Sequence, residues 1–169
     1  MKLDLEDDMK KLINVMAVGL AFAGLTACQP KTAEPPVGSL VFSSLGGTSW
    51  QLVEIQSMDD SQGTMRPNDP SKYRIDFDKE GTLEGNIAVQ LDCNRGVGAW
   101  SNPISNATGG TLTIGPLGVT KMLCPPPSMG EMLEKNLGYV RSFVIRDGRL
   151  YMSMMADGGI IVWEPARAK

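Results

Sequence analysis

Three cysteines, at positions 28, 93 and 124, carry the sulfur chemistry open to this chain of 169 residues. Cys28 closes the run Leu25-Thr26-Ala27-Cys28, which has the form of a lipobox: a leucine, two small residues and an obligatory cysteine. The thiol is needed there because diacylglycerol is attached through sulfur before the leader is cut on its N-terminal side. Cys93 and Cys124 remain once Cys28 is acylated. In an exported chain such an even pair reads as a disulfide. Two other readings stay open: a pair of buried thiols, or a soft-metal site. Met122, Met152, Met154 and Met155 could add sulfur ligands of the kind that suit Cu(I). Against the metal, Met152 and Met154 alternate with Leu150 on one strand face and fill a core well. No metal and no cofactor is therefore expected.

The remaining polar candidates are sparse. Asp92, Asn94 and Arg95 flank Cys93 in a glycine-rich stretch. They form either a polar ligand site or, the preferred reading, a bend held by Asx-type hydrogen bonds with glycines allowing positive φ. Asp76 and Asp78 fall on the wet side of an alternating segment, where paired carboxylates are solvated; no glycosidase-like pair is proposed. The chain has no histidine. That removes the commonest general base, the Ser–His and Cys–His nucleophile systems and the imidazole zinc ligand. No catalytic residue is assigned, and the protein is not expected to be an enzyme. A net charge of −3 without a basic run gives no sign of a nucleic-acid partner.

Export rests on the N-terminus. Lys10 and Lys11 precede the apolar run from Leu12 to Leu25, and small residues follow it, the layout of a secretory signal. The run is shorter than the ~20 apolar residues of a spanning helix. Residues 1–27 are read as the signal peptide, with Met9 as the natural start, since the first eight residues carry four acidic side chains. Gln29, rather than aspartate, follows the cysteine, which directs the expectation to the outer membrane, lipid-anchored and facing the periplasm. Residues 28–46 form the lipidated cysteine and a Pro-rich flexible tether, in which Leu40-Val41-Phe42 could pack onto the domain. Removing 27 of the 169 residues leaves 142, enough for one core.

The domain that must position these groups, residues 47–165, alternates strand and turn signals. Trp50–Ile55 is a first strand, and 56–71 a polar loop. Tyr73-Arg74-Ile75-Asp76-Phe77-Asp78 has its apolar residues on one face. The next strand sets Leu83, Ile87, Val89, Leu91 and Cys93 on one side. The segment Asn94–Trp100 reads as a break, and a strand around Leu112–Ile114 follows a Gly109-Gly110 turn. Ser128 and Glu131 fit a capping box that opens an amphipathic helix through Met129, Met132, Leu133, Leu137 and Val140, after Pro125-Pro126-Pro127. Asp147-Gly148 and Ala156-Asp157-Gly158-Gly159 are hairpin turns. The fold class is α+β, predominantly antiparallel β: a small curled sheet or barrel with one packed helix.

The order Gly47-Thr48-Ser49-Trp50-Gln51-Leu52, Leu91-Asp92-Cys93-Asn94-Arg95-Gly96-Val97-Gly98-Ala99-Trp100, Leu112-Thr113-Ile114 and Thr120-Lys121-Met122-Leu123-Cys124 resembles the META domain family, which includes the HslJ heat-inducible lipoproteins. The family's usual small residue before Cys-Asn is here Asp92, and the tripled proline after Cys124 is unusual. The resemblance implies a small envelope-anchored or secreted fold linked to stress tolerance, with no established reaction and hence no catalytic residues to carry over. It matches the cysteine pair to Cys93 and Cys124, and makes Asn94, Arg95 and Thr120 candidate ligand-binding residues. The expected function is a non-catalytic module for envelope maintenance or stress tolerance, with an envelope protein as candidate partner. The alternative is an inhibitor of an envelope or host hydrolase, such as a lysozyme, using the 56–71 loop as the contact.

Overall fold

Alternation is what builds the first half of the domain. In the computed structural model, which describes residues 45–59, 61–106 and 108–167, the expected Tyr73 strand buries Tyr73, Ile75 and Phe77 and turns Arg74 and Asp76 outward. The signal segment, Cys28 and the tether as far as residue 44 lie outside the described residues; Leu45, at the end of that expected tether, is fully buried in the core. The strands are β1 (Ser49–Gln56), β2 (Thr64–Met65), β3 (Tyr73–Phe77), β4 (Glu84–Leu91), β5 (Asn94–Ser101) and β6 (Ser105–Asn106). Then come β7 (Gly109–Thr111), β8 (Thr113–Ile114), β9 (Gly118–Val119), the helix α1 (Gly130–Leu137), β10 (Val140–Arg146), β11 (Arg149–Met154) and β12 (Ile160–Pro165). A single 3-10 turn, Pro70–Lys72, leads into β3.

One antiparallel sheet runs β6-β7-β10-β11-β12-β1-β3-β4-β5-β8, with β2 added to β1 and β9 to β5. The run 109–114 touches both ends of it. β7 pairs with β10 (Phe143 opposite Gly110), whereas β8 pairs with β5 (Trp100 opposite Ile114). Between them Leu112 is fully buried, and its N–H donates to Arg141 O at 2.9 Å. A single segment thus draws the two ends together and curls the sheet into a half-barrel. Its inner face carries Trp50, Trp163, Phe143, Leu52, Ile75, Ile87 and Leu91. Leu133 and Leu137 of α1 join the same core, so one helix covers the opening with about two turns of amphipathic surface.

Both expected hairpins form. Asp147 and Gly148, with φ of 53° and 72°, join β10 to β11 in a two-residue turn of the kind that needs two positive φ values. Met152 and Met154 are buried, and Met155 is exposed.

Four local expectations change. Asn94–Trp100 is not a break but β5, paired to β4 along its whole length through Leu91 opposite Asn94 to Glu84 opposite Ser101. Its glycines are there for space rather than for positive φ. A Cβ at Gly96 would stand 2.8 Å from Val89 Cγ2 and 2.9 Å from Val119 Cγ2; one at Gly98 would stand 2.8 Å from Leu117 Cδ2. The 116–119 segment crosses β5 at this point and leaves no room for side chains. Gly109-Gly110 is likewise strand, paired with β10, and a Cβ on Gly110 would collide with Ile104 O. Val140 belongs to β10, not to the helix. Finally, the Ser128 capping box does not form: α1 begins at Gly130 with Met129 as N-cap and no side-chain cap bond. Tertiary contact sets that start, because the Met129 N–H donates to Tyr73 Oη at 3.0 Å, and Ser128 Oγ is left to accept from Gly130 N.

Candidate functional site

The site grows from a two-residue turn in the sheet. Only Asp92 and Cys93 separate β4 from β5, and Asp92 takes φ of 62°. Aspartate tolerates this left-handed conformation better than most residues. Its carboxylate is also held: the side chain is buried and accepts from Lys72 Nζ at 3.2 Å, while its N–H donates to Lys72 O. The hydrogen bond to Asp92 and its negative charge hold the Lys72 ammonium above the usual lysine range. The residue that departs from the family's small one is thus accommodated by a local ion pair.

From that turn Cys93 reaches Cys124. The two form a disulfide with a Cα–Cα distance of 5.6 Å across 31 residues of sequence, within the usual span for such a bridge. Their sulfurs are joined to each other, so neither offers a thiolate to a metal. Among the described residues no group of three or more Asp, Glu, Cys or His is arranged to hold one.

Asn94 sits next to the bridge and works on the same loop. Its Oδ1 accepts from Met122 N at 2.8 Å and from Thr120 Oγ1 at 3.0 Å. Its Nδ2 donates to Met122 O at 2.9 Å and lies 3.3 Å from Cys124 Sγ. Arg95 and Thr120 are joined by two bonds: Arg95 N–H donates to Thr120 Oγ1, and Thr120 N–H donates to Arg95 O, both at 3.0 Å. The structure therefore brings Asn94, Arg95 and Thr120 together. Asn94 spends its side-chain amide on the 120–124 loop, and the Thr120 hydroxyl bonds Asn94 and Arg95 in return; the Arg95 side chain is exposed.

What these bonds brace is a loop with an apolar tip. Met122 is 64% exposed and Leu123 98%. Lys121, just before them, bonds Glu134 of α1 with Nζ 2.9 Å from Oε1 and 2.7 Å from Oε2, tying the loop to the helix. Under the tip lies a cleft of about 380 Å³ between β5, the loop and the start of α1, lined by Leu91, Val119, Met122, Pro126, Ser128 and Glu131. A neighbouring recess of about 550 Å³ continues along α1 past Leu117 and Lys135.

Residues 43–166 match the profile of the META domain. The chain belongs to the META domain family. Two solved structures superpose on it at low identity. A protein from Burkholderia xenovorans, determined by NMR, superposes with a TM-score of 0.55 at 18% identity over 73% of this chain and 85% of its own. A DUF4847 family protein from Bacteroides vulgatus gives 0.47 at 11% identity over 74% of this chain and 96% of its own. No curated protein matches. In this META domain the paired motifs, Cys93-Asn94-Arg95 and Thr120 to Cys124, meet in space although 25 residues or more separate them in sequence.

Elsewhere the polar pairs are internal. Asp76 accepts from Arg74 Nε and Ser49 Oγ. Asp78 is partly desolvated, which raises its pKa, yet the side-chain and backbone N–H bonds from Asn86 outweigh this and hold it below the usual carboxylate value. Sequence reasoning missed the Met122-Leu123 tip, which it weighed only as a source of sulfur. The available signal was an apolar pair outside any periodic element, set between a lysine and Cys-Pro-Pro-Pro.

Proposed function

We propose that this chain is an envelope lipoprotein, anchored through Cys28, whose META domain is a non-catalytic binding module serving envelope maintenance or stress tolerance. One observation carries the non-catalytic reading: the motif's polar groups brace a loop instead of converging on open space. Asn94 and Thr120, the groups best placed to activate or orient a substrate, are saturated: Asn94 by bonds to Thr120 and Met122, and the Thr120 hydroxyl by bonds to Asn94 and Arg95. A binding surface needs such rigidity, since ordering a loop on association costs affinity.

The braced loop lies far from the first described residues of the domain. Leu45 and Gly46 lie beside the Lys79–Thr82 turn, where a Cβ on Gly46 would collide with Lys79 O. The braced loop lies at the other end of β4, next to the Asp92-Cys93 turn. Eight strand residues separate the two, about 26 Å at ~3.3 Å per residue.

Crosslinking in intact envelopes followed by capture of the full chain tests this reading. A defined partner crosslinked through residues 120–135 is the expected result. Turnover of any envelope substrate by the purified chain would refute it. The alternative, inhibition of a hydrolase, gains one specific observation. The most exposed apolar side chain among the described residues, Leu123, stands on this loop rather than on the polar 56–71 segment.

A further inference from the structure

We infer that residues 121–124 form a substrate-like inhibitory loop for an endopeptidase whose primary specificity pocket is apolar, with Leu123 as the residue that enters the pocket. The inference rests on the non-catalytic binding reading and is independent of the lipid anchor.

Three features of the loop carry it. The first is the pattern of free backbone groups. Met122 N–H and C=O are both taken by Asn94, whereas neither Lys121 nor Leu123 has a backbone bond within the domain. None of residues 120–124 adopts positive φ, and none lies in a helix or turn. A segment that offers the N–H and C=O of residues i and i+2, with i+1 tied back, is set to add as an antiparallel strand to a partner's edge. An endopeptidase cleft receives its substrates in that extended form.

The second feature is Leu123 itself. A leucine 98% exposed on a loop fixed by a disulfide, a three-bond asparagine brace and the φ-restricted Pro125-Pro126-Pro127 has little conformational freedom left to lose on binding. Burying it in an apolar pocket is favourable by the area it removes from water. Met122, 64% exposed beside it, adds to the same contact.

The third feature is what happens if the enzyme cuts. Hydrolysis of the Leu123–Cys124 bond adds one water, leaving a carboxylate on Leu123 and an amine on Cys124. Neither new end is released. Cys124 stays joined to Cys93, and the segment before the cut stays bonded through Met122 to Asn94 and through Thr120 to Arg95. All the anchors belong to one hairpin, the Cys93 turn and the start of β5. A cleaved chain therefore keeps the shape of the uncleaved one and goes on occupying the cleft, so the loop inhibits where a flexible peptide would be consumed. In this scheme Asn94 is a positioning residue.

The test uses the full chain purified in detergent, with chymotrypsin and subtilisin as apolar-pocket probes and trypsin as the cationic-pocket control. The wild type is expected to inhibit an apolar-pocket probe with a Kd of about 10⁻⁷ M or tighter, in keeping with interfaces of this kind. Leu123→Lys should move inhibition to trypsin and weaken it against the first probe by roughly a hundredfold or more, since an unpaired ammonium is then forced into an apolar pocket. The side chain lies in solvent, so this variant tests recognition rather than folding. Asn94→Ala should accelerate cut at Leu123–Cys124, detected as two fragments after reduction. No inhibition of either apolar-pocket probe, or inhibition that Leu123→Lys leaves unchanged, overturns the inference. Failure here alongside a crosslinked partner at residues 120–135 would remove the endopeptidase target and leave the binding-module reading standing.

Discussion

Reducing the Cys93–Cys124 bridge is the perturbation whose size the structure fixes best. The bridge closes 31 residues. In the chain-entropy treatment, cross-linking a loop of that length removes about 12 cal/mol/K from the unfolded chain, or about 3.7 kcal/mol at 25 °C. That is a large part of the ~5–15 kcal/mol that stabilises a domain of this size. It is not all of it, because the Asn94 bonds to Met122 and Thr120 persist without the sulfur link. The reduced protein should therefore still fold at 25 °C, with a Tm lower by roughly 10–18 °C at ~3–5 °C per kcal/mol. Cys93→Ala and Cys124→Ala should each cost about the same, and the double variant little more than either, since one bond is lost in all three. Urea melts of oxidised, reduced and alanine variants give the comparison, with intact mass confirming the bridged state beforehand. If reduction lowers stability by under 1 kcal/mol, or if the double variant costs the sum of the singles, the entropic account of this bridge is wrong.

Gly130→Ala would ordinarily favour a helix by ~1 kcal/mol. Here it should destabilise the domain by roughly 1–3 kcal/mol in the same melts, because its Cβ would stand 2.8 Å from Leu91 O and push α1 off the sheet. A neutral or stabilising result would show that the helix shifts freely. Asp78 provides the acid dependence: its folded pKa lies below the ordinary 3.8, so its contribution is present above pH 3.8 and is lost as pH falls through the folded value. Asp78→Asn should flatten that acid limb in a pH series of melts, and an unchanged limb would assign it to other carboxylates. For the anchor, Cys28→Ser should accumulate unprocessed precursor that no longer partitions with detergent. Normal processing and partitioning of that variant would end the lipoprotein reading.

How much of this was legible beforehand depends on how far apart the deciding contacts lie. Local patterns sufficed for β3, whose alternation is a property of five consecutive residues, and for the two terminal hairpins, where Asp147-Gly148 in the first turn and Ala156, Asp157 and Gly159 in the second take positive φ. The cysteine pair was identifiable because a small domain expected to be exported has few other uses for two thiols. The order of motifs placed the chain among META domains. Glycine was where local reading failed: Gly96 and Gly98 look like breakers, yet serve a strand that another segment crosses at van der Waals distance. Nothing within the 94–100 stretch shows that crossing. The start of α1 moved for the same reason, since Tyr73, over 50 residues away, takes the N–H of Met129. The functional surface was the least legible part of all. An Asn-Arg motif and a Met-Leu pair are unremarkable in isolation. Only the folded chain makes the first the brace of the second, because backbone satisfaction and side-chain exposure are properties of packing and not of residue type.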